Sequence, residues 1–347
     1  MNQITAKVIA DSVNESKTRL TTMVVTFPRY ILAEFNTHRA FSRNSASSRA
    51  IPFETMLETI QSNPFIPMAW QKNHSGMQGA EYLSERDVEV CNSAWLVARN
   101  RAVDQAKHIA ERGATKQMIN RILEPYMWTT VIVTATDFQN FFKLRCPRYW
   151  LYAGKESNLR YKSKKEAMNH FEKIKDTLSG YDEVKNFTDL DWLKFNDGQA
   201  DIHMMALAEV MYDAYNESVP KELKSGEWHI PFRDKMQEDE VFQIVKDNNL
   251  RGEYEYPEHN WKYEEVRLKI ATAQCARVSY TTIGKEKVVD YQKDIDLHDY
   301  LLKARHASPF EHSAVVDPSS FSSRNFGAGW TQYREIVERQ VPLNSFH

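Results

Sequence analysis

The densest concentration of chemically capable side chains lies between Thr37 and Arg49 (THRAFSRNSASSR), where His38, Arg39, Arg43 and Arg49 are interleaved with Ser42, Asn44, Ser45, Ser47 and Ser48. Guanidinium forks bind phosphate bidentately, and hydroxyls with loop amides complete an oxyanion shell, so this composition suits a nucleotide phosphate. It equally suits an ordered surface loop held by its own side-chain-to-backbone bonds. The histidines are scattered and none forms the helical pair of a zinc enzyme; His306 and His312 are separated by Pro309, and no metal site is expected. There is no glycine-rich phosphate loop, G-x-S-x-G elbow or kinase motif. With only 11 Gly, a dinucleotide-binding Rossmann unit has little support, so a nicotinamide or flavin would have to bind outside that framework. Cys91, Cys146 and Cys275 are odd in number and far apart, which fits reduced, small apolar residues rather than a disulfide framework.

Several elements must position these groups. Ile4, Ala6 and Val8 alternate with polar residues, and LTTMVVTF from Leu20 to Phe27 is rich in β-branched residues, so the chain opens with strands. The run from Thr37 to Arg49 is too polar for a core element and reads as a ligand-facing loop. Trp95, Ala98, Ala102, Ala106 and Ile109 recur at helical spacing between about Val90 and Arg112, and Gly113 follows as a stop. Thr115 can cap a short helix with Met118, Ile119 and Ile122, closed by Pro125. WTTVIVTAT from Trp128 to Thr136 has strand character, and Asp137 can cap the helix DFQNFFKLR, which presents Asn140 and Arg145 near its end. A further helix runs from Asp201 to Tyr215. Residues 146–197 read as an insertion and 220–265 as a mixed surface excursion. A compact unit returns with ATAQCARVSY, a helix around Leu297, Leu301 and Leu302, and the turn HASPFEH.

Length and charge bound the function. The 347 residues are 42% hydrophobic, enough for a real core. Lys+Arg of 45 against Asp+Glu of 47 leaves a net charge of −2, so no global pull toward nucleic acid or anionic membrane exists, and any anion site must be local. No stretch approaches the ~20 apolar residues of a membrane span, and Met1 to Val8 lacks a signal-peptide pattern, so the chain is expected to be cytoplasmic.

The motifs together resemble the flavin-dependent thymidylate synthases. His38-Arg39, seven residues, Ser47, then Arg49, approached by TFPRYILAEFNTHR, is similar to that family's arginine-histidine-arginine signature. Asn120-Arg121-Ile122-Leu123 with Pro125, Phe138 to Arg145, QADIHMMALA (Gln199 to Ala208), ARVSY (Ala276 to Tyr280) and HASPFEH (His306 to His312) resemble its other elements. The last two normally precede the histidine-arginine motif; here they follow it, an order that a circular permutation produces. The resemblance implies a single α+β (mixed α/β) domain over 1–347 with a largely antiparallel sheet and packed helices, insertions at 146–197 and 220–265, and a permuted segment at 271–312. It implies FAD as cofactor, with NADPH and methylenetetrahydrofolate as co-substrates, conversion of dUMP to dTMP, and a homotetramer building each active site from several subunits.

Residue by residue, it implies that Arg145 ionises the pyrimidine N3, a task that suits a permanently cationic guanidinium. Glu34, Phe35, Asn36, Ser47, Ser48, Arg49 and Arg121 fall on substrate-binding positions. Thr37, His38, Arg39, Ser45, Thr134, Thr136, Asn140, His306, Ser308 and Glu311 fall on cofactor positions. The chain departs from the pattern where Thr37 replaces an arginine, Ser45 a glutamate, Glu34 a glutamine, and Thr134-x-Thr136 an Asn-x-Arg. Arg43 is an additional cation that could compensate, and Glu34 beside a pyrimidine swaps a donor for an acceptor. Two other readings stand beside this one: a hydroxymethylase acting on dUMP or dCMP, and a catalytically silent nucleotide or nucleic-acid binder using Arg39, Arg43, Arg49 and the lysines from Lys162 to Lys165.

Overall fold

The computed structural model describes residues 4–75, 81–150, 160–176, 181–198, 200–247, 261–278 and 290–340. Ser279 and Tyr280 of ARVSY, Gln199, and parts of 146–197 and 220–265 lie outside them. The fold is mixed α/β with antiparallel-rich sheets. The β-branched opening forms the hairpin β1 (Thr5–Val13) and β2 (Arg19–Pro28), followed by the single-turn α1 (Leu32–Phe35) and β3 (Ser42–Ser45). Three helices follow, α2 (Phe53–Ser62), α3 (Glu85–Ala110) and α4 (Lys116–Leu123), then β4 (Trp128–Ala135) and α5 (Gln139–Arg145). An accessory stretch holds β5 (Tyr149–Trp150), β6 (Arg160–Tyr161), α6 (Lys164–Phe171), α7 (Tyr181–Val184) and α8 (Asp189–Lys194). The long α9 (Ile202–Glu217) leads to β7 (Lys221–Glu222), β8 (Trp228–His229), α10 (Glu238–Asp247), α11 (Trp261–Arg277) and α12 (Tyr291–Lys303). After a 3₁₀ turn, Ser308–Glu311, the described chain ends with β9 (Ala314–Val316), β10 (Trp330–Gln332) and α13 (Tyr333–Gln340).

The main sheet runs β3-β4-β2-β1-β7. Its first four strands pair antiparallel, and β7 joins β1 parallel. Period-two alternation divides the two faces. Met23, Val25, Phe27, Val131, Val133 and Ala135 point to one side and form the largest core with Phe141 and Phe142 of α5 and Ile202, Met205 and Ala208 of α9. Thr22, Thr26, Thr130 and Thr134 point to the other, with hydroxyl pairs Thr22–Thr134 at 2.8 Å and Thr26–Thr130 at 3.0 Å across directly opposed positions. The strand β9 pairs with β8 and β10, and Leu20 packs with Leu223, Ala314, Val316, Phe326 and Trp330 in a separate core. Smaller cores hold α2–α4 together and pack the accessory stretch around Trp192.

Three local expectations differ from what is found. The polar run contains a strand, because Ser42 to Ser45 pair with Thr134 to Val131 and take their conformation from the neighbour rather than from propensity. The helix expected from Val90 starts at Glu85, where Ser84 accepts the Asp87 N–H. Residues 220–247 are not peripheral: β7 and β8 each extend a sheet, and Ile230, Met236, Val241 and Val245 are buried with α11. Among the described residues no helix is long and apolar enough to cross a membrane.

Candidate active site

Asp137 accepts the Gln139 N–H at 2.8 Å and starts α5. The helix turns Phe138, Phe141 and Phe142 into the core, leaves Asn140 exposed, and ends at the half-buried Arg145. There Arg145 Nε donates to His38 Nε2 at 3.1 Å. An Nε2 that accepts belongs to a neutral imidazole with its proton on Nδ1. The ring is wedged edge-on against Phe141, centroids 4.8 Å apart. Burial, then the positive charges of Arg145 and Arg43, hold the His38 pKa down to about 4. His38 therefore holds Arg145 as an acceptor and does not compete with it as a cation.

The loop ahead of β3 is fastened from within. Thr37 Oγ1 donates to the Glu34 carbonyl at 2.7 Å. Arg43 Nη1 donates to the carbonyls of His38 at 2.8 Å and Asn36 at 3.1 Å, so this arginine closes the loop rather than facing a phosphate. Burial opposes the Arg43 charge and the carboxylate of Glu311 favours it. On the other side of β3, Asn44 Nδ2 donates to the Cys275 carbonyl at 2.8 Å and Asn44 Oδ1 accepts from Ser308 Oγ at 3.2 Å. The 3₁₀ turn is thus seated on β3. Arg334 binds the Glu311 carboxylate, and Gln332 Nε2 donates to the Glu311 carbonyl at 3.3 Å and to Ser42 Oγ at 3.2 Å.

The end of the polar run belongs to α4. Asn120 Nδ2 donates to the carbonyls of Ser48 at 2.8 Å and Ile51 at 3.0 Å. Ser48 Oγ donates to Glu124, which also meets Arg29 at 3.4 Å. Arg49 stays exposed, reaching Gln117 on α4 at 3.1 Å, and Arg121 is exposed on the same helix.

Behind the site, a chain of buried hydrogen bonds crosses the threonine face. Ser12 Oγ meets His229 Nδ1 at 2.9 Å, His229 Nε2 meets Thr22 Oγ1 at 2.8 Å, Thr22 meets Thr134, and Thr134 Oγ1 meets His312 Nδ1 at 2.8 Å. Full burial lowers the pKa of His229 to about 4 and that of His312 to about 3. His312 Nε2 is buried without a hydrogen-bond partner. Sequence reasoning missed this network because threonines in a strand read as β propensity, and His229 carries no local motif.

The residues singled out from sequence therefore fall into separate groups. His38, Arg145, Ser308 and Glu311 meet around β3, while Arg49 and Arg121 share the surface of α4. Glu34, Asn36, Thr37, Arg39, Asn140 and His306 are exposed, and Ser45 and Ser47 are half-buried. Phe35 is wholly buried among Phe27, Phe41 and Phe141, and its side chain has no surface to offer a nucleotide. Thr134 is sealed beneath His312, and Thr136 Oγ1 accepts the Gly327 N–H at 3.0 Å, so neither departs from an internal role. Lys164 pairs with Asp189 at 2.8 Å and Lys165 with Glu217, which removes two cations from any nucleic-acid surface there.

No protein-family model matches the chain, and no curated protein does. Among solved structures, the UMP/dUMP methylase PolB from Streptomyces cacaoi bound with 5-Br UMP is similar at 14% identity, covering 58% of this chain and 98% of its own, with a TM-score of 0.36. The same methylase bound with 5-Br dUMP gives 12% identity, 57% and 98% coverage, and a TM-score of 0.33. At this identity and TM-score neither similarity speaks to what this chain does.

Proposed function

We propose that the chain is a flavin-dependent enzyme that transfers one carbon to C5 of a deoxypyrimidine nucleotide, converting dUMP to dTMP with methylenetetrahydrofolate and NADPH. The observation that carries this reading is the meeting, at β3 and the loop ahead of it, of stretches far apart in sequence that bear the family resemblance: Arg145 on His38, and Ser308 on Asn44. The exposed Arg39, Asn140 and His306 suit FAD, because a guanidinium with further hydrogen-bonding groups matches a diphosphate and ribityl chain. Thr37, Thr134, Thr136, Ser308 and Glu311 already have internal partners and are left out of that set. When bound, FAD supplies the reducing equivalents drawn from NADPH.

The chain's own residues do the rest. Ser47, Arg49 and Arg121 bind the nucleotide phosphate, and Arg145 stabilises charge that develops on the pyrimidine as N3 ionises. His38 keeps Arg145 in place through its Nε, leaving the Nη groups for the base. Cys146 and Cys275 are buried and burial raises both thiols, so neither serves as a thiolate nucleophile. A circular permutation accounts for the motif order. It is supported by contacts that join the first hairpin to the last strands, Asn14 Nδ2 to the Ala328 carbonyl at 2.9 Å and Trp330 Nε1 to the Thr18 carbonyl at 3.0 Å.

The purified protein is expected to show flavin absorption and to yield a product of dTMP mass from dUMP, methylenetetrahydrofolate and NADPH. A product heavier by one oxygen would assign the hydroxymethylase reaction instead. Arg145→Ala should lower turnover by about 10²–10³-fold while retaining flavin. A colourless protein, or wild-type turnover in that variant, overturns the proposal.

A further inference from the structure

Nothing in the family resemblance calls for an arginine at position 43, yet this half-buried side chain is turned inward. Its Nη1 lies 2.8 Å from the carbonyl of His38, 3.1 Å from that of Asn36 and 3.5 Å from that of Phe35. The His38 carbonyl also accepts the Phe41 N–H at 3.3 Å, and the His38 N–H donates to the Phe35 carbonyl at 3.3 Å. Both backbone groups of His38 are therefore bonded, and Arg43 is the side chain that grips the carbonyls around them. With those peptide planes fixed the imidazole has little freedom left. It lies edge-on to Phe141, with its centroid 6.0 Å from that of Phe41, and so delivers the Nε2 lone pair to Arg145 Nε at 3.1 Å.

These contacts form a closed circuit. Arg43 stands on β3 opposite Val133 of β4, β4 leads directly into α5, and α5 ends at Arg145, which returns to His38 and so to Arg43. Arg145 is the last residue of its helix, where ends fray, and the circuit holds it against the sheet. The charge of Arg43 acts in the same sense, because together with Arg145 it disfavours the imidazolium form of His38, whose nitrogens only donate. Glu311, itself bound by Arg334, in turn favours the charge on Arg43. On the reading that Arg145 acts on the pyrimidine, we propose that Arg43 is a positioning residue for the reaction. Through the carbonyls it grips, it keeps His38 where the ring accepts from Arg145, and so aims Arg145 without touching a substrate.

Arg43→Gln keeps a neutral donor and loses the charge and the reach. In steady-state turnover of dUMP by the flavin-loaded full chain, its kcat is expected to fall about ten-fold, with KM for dUMP within about three-fold and flavin retained, because what is lost is orientation of a group that acts in the transition state. Arg43→Lys, which keeps the charge and a donor, should fall between wild type and Arg43→Gln, and it carries the same test where Arg43→Gln does not fold by far-UV circular dichroism. In an Arg145→Ala background either substitution should cost nothing further, the non-additivity of residues that act through one group. Hydrogen exchange at Arg145 Nε, assigned in arginine-labelled spectra by its loss in Arg145→Ala, reads the same link without turnover. The bond to His38 slows that exchange, and Arg43→Gln should speed it by about ten-fold. Wild-type kcat in both variants, an equal loss on top of Arg145→Ala, or unchanged exchange at Arg145 Nε overturns the role of Arg43 and leaves the proposed reaction standing. A wild type that does not turn over dUMP overturns the reaction, and this role with it.

Discussion

Thr134→Val tests whether the buried network behind the site is structural. The change keeps the shape of the side chain and deletes its hydroxyl, which holds Thr22 and His312 at 2.8 Å each. Thr22 keeps its bond to His229, so its loss is one ordinary hydrogen bond, about 0.5–1.5 kcal/mol. His312 loses more. Its Nε2 already lacks a partner, and the substitution leaves Nδ1 without one in a wholly buried ring, at about 1–3 kcal/mol. The extra buried methyl returns about 0.8 kcal/mol, giving a net loss of about 0.7–3.7 kcal/mol with its centre near 2. With a urea m-value of about 3 kcal/mol/M, the unfolding midpoint should fall by about 0.7 M. Thr134→Ser, which keeps the hydroxyl and loses one methyl, should cost only about 1 kcal/mol. Urea titration at pH 7.5, followed by far-UV circular dichroism, checks both. A Thr134→Val variant within 0.5 kcal/mol of wild type, or one more stable than Thr134→Ser, refutes the reasoning. A variant of native stability that loses its flavin would instead return Thr134 to the cofactor.

Acid should unfold the chain early. His38 and His229 have pKa values near 4 and His312 near 3, all below the ordinary 6.5, so between those values the unfolded chain binds more protons than the folded one. Their contribution is intact above about pH 6.5 and lost as pH falls toward 4, about 3 kcal/mol for each group. Since domains are stable by only about 5–15 kcal/mol, an acid midpoint above pH 4 is expected, and one below pH 3.5 contradicts this. Gly329 has φ +80° and a Cβ there would lie 2.3 Å from Asn14 Nδ2, whereas Gly113 has φ +79° with open space around it. Gly329→Ala should therefore cost clearly more than the ~1 kcal/mol expected of Gly113→Ala, and equal thermal shifts would refute the close approach.

What was legible in the sequence was local. β-branched runs marked β1, β2 and β4, the caps at Thr115 and Asp137 marked the starts of α4 and α5, and helical spacing of apolar residues marked α9, because each signal acts within a few residues. The strand Ser42–Ser45 was not legible, since its conformation comes from β4, nearly ninety residues later. Nor was the role of Trp228–His229, two residues whose partners in β9 lie beyond α12. At the site, the polar run and Arg145 were visible as chemistry, but their division of labour was not. Arg43 looked like a phosphate ligand and is a loop clasp, and the bond by which His38 holds Arg145 has no local signal in the sequence.

The threonine face of the main sheet also bears on synthesis. Strands β1 to β4 are complete once Ala135 has emerged, yet the residues that cover their hydroxyl side, from His229 to Gln332, follow much later. At 5–20 residues per second, His312 arrives on the order of 10–40 s after Ala135. A sheet with apolar side chains on both faces would wait that long exposed to chance partners. Here that face carries Thr22, Thr26, Thr130 and Thr134 beside Leu20, Val24 and Ile132, so the unfinished sheet presents less apolar area to chance partners than an all-apolar face would. The last third of the chain then displaces its water and converts a part-polar surface into a dry, histidine-bridged interior.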